Sequence, residues 1–189
     1  HSWAARFMKS QGAGFDIADS EDLDDCWERA WAGAEEAAFD VGFLRQEWEQ
    51  VIQANGIETL ADYLKVSRTG RGHTLTRPQR GRVWKVFEHY QQVLAQRGKQ
   101  EWLQAIRTAR RFLEEKKVSL PYRAVVVDEA QDFHAEEWKL IRAIVPAGQN
   151  DLFLVGDAHQ RIYGRKLALN RCGIQIQGRS SKLRINYRT

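Results

Sequence analysis

No apolar run in this chain approaches the roughly 18 residues that a membrane span requires, and no signal-peptide pattern opens it. Cysteine is almost absent. The two present, Cys26 and Cys172, stand far apart and in no ligand-like spacing. That argues against a disulfide scaffold, dithiol redox chemistry and a zinc site, and it fits a reduced, cytoplasmic setting. Methionine occurs once, at Met8, and His1 leads directly into a helical pattern. The far end, Tyr187-Arg188-Thr189, is equally abrupt, so the chain is expected to be a segment of a longer polypeptide. Internal repeats and low-complexity stretches are also lacking. What remains is 189 residues of ordinary hydrophobic and charged content, enough for one large domain or two small ones with a real core.

Acid is missing from two stretches. Between Lys65 and Lys85 there are seven Lys/Arg and no carboxylate, and after Asp157 there are eight more, again with none. Asp16 to Glu28, by contrast, is strongly acidic. Basic tracts set apart in this way suit a polyanion such as nucleic acid, or else form solvated loops.

The first half carries one helical pattern after another. Ser2 to Lys9 predicts a short helix, with a break at Gly12 and Gly14. Asp22 to Phe39 places Trp27, Trp31 and Ala34 on one face, and Phe43 to Gln53 repeats Leu44, Trp48, Val51 and Ile52 at helical spacing. Thr59 is a candidate N-cap for a helix through Tyr63 and Leu64. The basic tract, with Gly70, Gly72 and Pro78, is expected to be an exposed loop. Two longer amphipathic helices follow, one on Val83, Val86, Phe87, Tyr90 and Leu94, and one on Trp102, Ile106, Ala109 and Leu113. These aromatics and aliphatics are expected to be core. Pro121 ends the helical regime.

Beyond it, Ala124 to Val127 is a short β-branched apolar run of the kind found in buried parallel strands. A helix is expected from Ala135 to Val145, a second strand from Asp151 to Val155, and a third from Leu183 to Tyr187. Strand, helix, strand is the α/β pattern, and its ligand crevice lies at the carboxyl ends of the strands. Asp128, Glu129, Gly156 and Asp157 all fall there. A strand ending in Asp-Glu can hold Mg²⁺ through Asp128, mostly by way of water, while Glu129 orients and deprotonates a water attacking a γ-phosphate. The plainer alternative is a pair of acids that end a strand and cap the next helix. Gln160 can both donate and accept, which suits phosphate sensing, or it is an ordinary turn residue. Tyr163 is a base-stacking candidate, at about 1–3 kcal/mol per base, or a core tyrosine.

Three segments in fixed order, Val-Val-Val-Asp-Glu-Ala-Gln-Asp (Val125 to Asp132), Gly-Asp-Ala-His-Gln-Arg-Ile-Tyr (Gly156 to Tyr163) and Asn-Tyr-Arg (Asn186 to Arg188), resemble the second, third and fourth motifs of the UvrD/Rep-like superfamily-1 DNA helicases. The resemblance implies an α/β fold: part of a RecA-like P-loop NTPase domain with a short parallel sheet and a large, mainly helical, 1B-like insertion. Residues 1–14 and 118–180 would belong to the first RecA-like domain (1A), 15–117 to the insertion, and 181–189 to the start of the second domain (2A). It implies ATP and Mg²⁺ as cofactors, with Asp128 and Glu129 at the metal, Gln160 on the γ-phosphate, Tyr187 near the adenine and Arg188 as an arginine finger. His1-Ser2-Trp3 looks like the tail of the family's Thr-x-His-Ser element, which lies near DNA. Single-stranded or forked DNA is the implied partner, with movement 3′ to 5′ and no membrane, and Arg68, Arg71, Arg77, Arg80 and Tyr163 are the residues expected to touch the DNA.

Two departures bear on activity. No Gly-x-x-x-x-Gly-Lys-Ser/Thr occurs anywhere, so the phosphate-cradling Walker A loop is missing. The family's Trp-Arg-Gly-Ala after the tyrosine is replaced by Gly164-Arg165-Lys166-Leu167. The expected whole is therefore an ATP-dependent helicase or translocase that needs its Walker A segment and second motor domain from the same polypeptide. The alternatives are a DNA-stimulated ATPase inside a repair nuclease, and a DNA-binding module with a degenerate nucleotide site.

Overall fold

The computed structural model describes residues 2–33, 39–68, 74–157 and 169–182, with Arg171 described by its backbone alone. The chain begins with helix α1 (Ser2–Ser10) and a two-residue strand β1 (Asp16–Ile17). Helix α2 (Ser20–Ala32) starts on a reciprocal cap: Asp19 Oδ1 accepts from the Asp22 amide at 2.9 Å, and Asp22 Oδ2 accepts from the Asp19 amide at 3.2 Å. Its described part stops at Ala32, short of the expected Phe39, and residues 34–38 lie outside the described set. Helix α3 (Val41–Glu47) is capped by Asp40 and runs on into a π-helical turn, Trp48–Gln53.

Thr59 caps α4 (Leu60–Lys65) as expected, its hydroxyl accepting from the Asp62 amide at 3.2 Å. The second half of the basic tract is not a loop. Helix α5 (Arg77–Gln96) begins inside it, set by Thr76 and Gln79, with Pro78 in the first turn. Proline is tolerated there because that N–H has no intrahelical partner, so Pro78 starts this helix instead of breaking one. Strand β2 (Lys99–Gln100) pairs in parallel with β1, and α6 (Trp102–Lys116) follows. Then come β3 (Val125–Val127), a 3₁₀ turn (Ala130–Asp132), α7 (Ala135–Ile144), β4 (Leu152–Leu154) and a second 3₁₀ turn (Leu169–Cys172). The expected third strand lies outside the described residues.

Three apolar clusters organise these elements. The largest joins α2 to α5, where Trp27, Trp48, Phe87 and Tyr90 meet and the Trp27 and Tyr90 rings stack at 3.8 Å. Aromatic side chains with a polar atom need a partner when buried. Glu101 supplies one to two of them, accepting from Trp48 Nε1 at 2.8 Å and from the Tyr90 hydroxyl at 2.7 Å, and from Gln53 as well. Burial pushes the Glu101 carboxyl above the usual glutamate range, against the pull of those donors.

The second cluster holds Ala4, Met8, Ile106, Ala109, Leu113 and Leu140, from α1, α6 and α7. Helix α6, which the resemblance assigns to the insertion, thus packs with α1 and α7. Trp102, expected on its apolar face, is 42% exposed. The third cluster sets Val127 against Trp138, Ile141, Cys172 and Ile174.

An ionic seam ties the loop before α4 to α6, and α6 to α7. Glu58 takes Arg107 at 3.3 Å and also Arg111, while the buried Glu136 takes Lys139 at 2.8 Å and Arg110 at 3.1 Å. Burial pushes the Glu136 carboxyl up, but the Lys139 hydrogen bond and the charges of Arg110, Lys139 and Arg107 outweigh it and hold the group below the usual range.

Candidate functional site at the strand ends

Strands β3 and β4 run parallel with Val125 opposite Leu152 and Val127 opposite Leu154. The ladder continues one step further: the Val155 amide donates to Val127 O at 2.8 Å, and the Ala130 amide donates to Val155 O at 2.9 Å. Both chains therefore leave the sheet at the same level, and the residues that follow them share one mouth. One face of this pair is covered, with Val127 4% exposed. On the other, Val126 is 72% and Phe153 64% exposed. The fully apolar run predicted burial on both faces, and among the described residues only one face is covered.

At that mouth the backbone turns sharply. Glu129 has φ 49° and ψ 42°, the left-handed region that L-residues adopt at a cost. The Asp128 carboxylate supports the turn, Oδ1 accepting from the Glu129 amide at 2.9 Å. Both carboxylates are exposed. Neither makes the cap of α7 that the plainer reading of the pair predicts. The N-cap of α7 is His134, whose amide donates to Glu137 Oε2 at 2.7 Å.

Gln131 joins the two strand ends. Its Nε2 donates to Glu129 Oε2 at 2.6 Å, and its Oε1 accepts from the Asp157 amide at 2.9 Å. The orientation of this amide is dictated by its partners, since a backbone N–H can only donate and a carboxylate can only accept. Gly156 leaves room for it: a Cβ there would stand 2.6 Å from Gln131 Oε1 and 3.0 Å from the Ala130 amide nitrogen. The sequence pattern contains Gln131 but gives it no role, because its bond to Asp157 exists only once the strands pair.

Mg²⁺ and a nucleotide suit these donors in part. Carboxylate oxygens are the right ligands for a hard cation, and Mg²⁺ characteristically keeps water and phosphate around one or two of them. Among the described residues no group of three or more His, Cys, Asp or Glu side chains gathers to hold a metal unaided, so phosphate and water would have to complete the shell. The sequence offers no lysine loop for the phosphates.

Of the other sequence candidates, Gln160, Tyr163, Tyr187, Arg188, His1 and Arg71 lie outside the described residues. Ser2 is exposed at the start of α1, and Arg77 is exposed in the first turn of α5. Arg68 and Arg80 are turned inward. Arg68 grips Glu47 with two bonds, Nε to Oε1 at 2.6 Å and an η nitrogen to Oε2 at 2.8 Å. Arg80 donates to the carbonyls of Tyr63 at 2.6 Å and Val66 at 3.0 Å. A run of like charge in sequence cannot reveal a partner 21 positions away.

Similar stretches occur in ATP-dependent helicase/nuclease subunits of Lactobacillus gasseri, Lactobacillus johnsonii and Lactobacillus delbrueckii subsp. bulgaricus, each 45% identical over 47 residues. Those residues are 25% of this chain and 4% of each relative, so the match spans a small part of much longer proteins. The model of the UvrD/REP helicase N-terminal domain matches residues 4–176, nearly the whole chain and all of the strand-end site. With a helix-rich fold, a short parallel sheet and an Asp-Glu pair at its mouth, the chain belongs to the UvrD/REP helicase N-terminal domain family.

Proposed function

We propose that this chain is part of an ATP-dependent DNA motor, a helicase or translocase that steps 3′ to 5′ along single-stranded or forked DNA in replication or repair, in the cytoplasm. The observation that carries the reading is the shared mouth of β3 and β4, where Asp128, Glu129 and the Gly156-Asp157 turn meet. ATP with Mg²⁺, when bound, supplies the phosphoryl group and part of its charge neutralisation. Asp128 would hold the metal, and Glu129 would orient the attacking water and accept its proton. Gln160 senses the γ-phosphate. Tyr187 would lie by the adenine, and Arg188 would supply positive charge from the second RecA-like domain. The exposed apolar face of Val126 and Phe153 supports a sheet completed by further elements of a RecA-like domain 1A.

Packing favours a 1B-like insertion made of α2 to α5, with α6 returning to domain 1A beside α1 and α7. Among the described residues no helix is long and apolar enough to cross a membrane. The second reading, a DNA-stimulated ATPase within a repair nuclease, is favoured by the helicase/nuclease relatives.

Steady-state ATP hydrolysis by the complete polypeptide, with and without single-stranded DNA, tests the proposal. Turnover stimulated by DNA is the expected result, and the 189-residue chain alone, lacking a Walker A loop, is expected to show none. DNA binding without any turnover in the complete polypeptide would move the reading to a degenerate binding module.

For DNA contact the proposal rests on Arg71, Arg77, Ser2, His1 and Tyr163, since Arg68 and Arg80 are held by the protein. Arg71→Glu and Arg77→Glu are each expected to weaken binding and reduce the slope of log affinity against log salt by about one unit. Fluorescence anisotropy titrations at several salt concentrations check this, and an unchanged slope refutes the placement.

A further inference from the structure

The structure assigns Gln131 as the positioning residue that fixes the Glu129 carboxylate against the turn after β4, through one side-chain amide bonded to both strand ends. This rests on the proposed role of Glu129 as general base. Three features of the mouth carry it. First, Glu129 sits on a left-handed backbone, φ 49°, at the edge of the sheet with an exposed side chain, so its carboxylate needs a second support to hold one direction. The Gln131 Nε2 bond at 2.6 Å supplies it.

Second, the same amide is anchored elsewhere: Oε1 takes the Asp157 amide at 2.9 Å, across 26 positions of chain. An amide satisfied at one end only can swing; one held at both ends transmits a shift of either partner to the other. Third, the residue beneath the amide is Gly156, where a Cβ would collide with Gln131 Oε1 at 2.6 Å. The second strand thus makes way for the clamp.

The consequence is a geometric link. Asp157 opens the segment that carries Gln160, and its amide is bonded to the residue that aims Glu129. A displacement of the turn after β4 therefore withdraws the Oε1 anchor and frees the base. The group that activates the water and the turn at Asp157 therefore move together.

The test uses the complete polypeptide and reads kcat, KM for ATP and the thermal midpoint together. Gln131→Leu keeps the side chain's bulk and removes both bonds. It is expected to lower kcat about tenfold or more while KM and the midpoint stay near the parent's, because the lost contact acts on the reacting geometry and not on nucleotide binding. Gly156→Ala, which displaces the amide from the opposite strand, is expected to reproduce the loss, and it serves as the second variant should the first fold poorly.

A cycle with Glu129→Gln separates positioning from general destabilisation. In that background Gln131→Leu is expected to cost nothing further in kcat, since the aimed carboxylate is already gone. Full kcat in both Gln131→Leu and Gly156→Ala, with Glu129→Gln strongly impaired, overturns the inference and leaves the proposed function standing. Undiminished kcat in Glu129→Gln overturns the general-base reading and the inference with it. Equal further losses in the Glu129→Gln background reduce Gln131 to a structural role and also overturn the inference.

Discussion

Glu129→Gln in the complete polypeptide is expected to lower DNA-stimulated ATP hydrolysis by about a hundred- to ten-thousand-fold, the usual contribution of a positioned general base. The substitution is nearly isosteric. It keeps an oxygen that can accept from Gln131 Nε2 and removes only the charge and the basicity. Nucleotide affinity is therefore expected to change little, and DNA affinity not at all. Three measurements check the split: steady-state phosphate release, equilibrium binding of a fluorescent ATP analogue, and DNA anisotropy. Asp128→Asn makes a useful contrast, because Asp128 supports the turn through the Glu129 amide as well as standing at the proposed metal position. Its loss should therefore weaken nucleotide binding together with turnover. If Glu129→Gln turned over ATP at the parent rate, the water would be activated by another group and the whole assignment of the mouth would fall.

How far the sequence carries depends on whether a feature is local. The Thr59 cap, the Val125 to Val127 strand, the helix on α7 and the Asp-Glu pair each depend on a few neighbouring residues, and all appear where the periodicity and capping rules place them. Pro78 misleads because a proline can end one helix or start another, and only the Thr76 and Gln79 cap on either side decides which. Strand β3 is covered less than its composition suggests, because an unbroken apolar run does not say how many layers cover it, and Val126 faces outward here. Trp102 and the core membership of α6 are out of reach for a related reason. An amphipathic stripe shows that a helix packs, not against which partner. The Gln131 clamp depends on a strand pairing that brings residue 157 beside residue 131. Nothing in the local pattern encodes that distance.

The same limit explains Arg68, for which the largest effect on stability is expected. It stands within a basic tract and so suggests a phosphate contact. In the fold its side chain is 5% exposed and bonded in two places to Glu47, whose own side chain is fully buried. The Tyr63 hydroxyl donates to the same carboxylate at 2.8 Å. Two bonds in the plane of a carboxylate use the guanidinium's fork, which a lysine cannot reproduce. Removing one member of such a buried pair costs about 3–5 kcal/mol. Arg68→Met is therefore expected to lower the thermal midpoint by roughly 6–20 °C, taking about 2–4 °C per kcal/mol for a chain of this size.

The double variant Glu47→Gln/Arg68→Met removes both charges and leaves an oxygen for the Tyr63 hydroxyl, so most of the loss should return. At a temperature where Arg68→Met is folded, its DNA-binding salt slope should equal the parent's, whereas Arg77→Glu, at the exposed start of α5, should lose about one unit. Calorimetry on the single and double variants, with anisotropy on the folded ones, separates the two arginines. A slope reduced in Arg68→Met would place that guanidinium on DNA in spite of its burial. A midpoint left unchanged would mean that the Glu47 carboxylate finds another cation when Arg68 is gone.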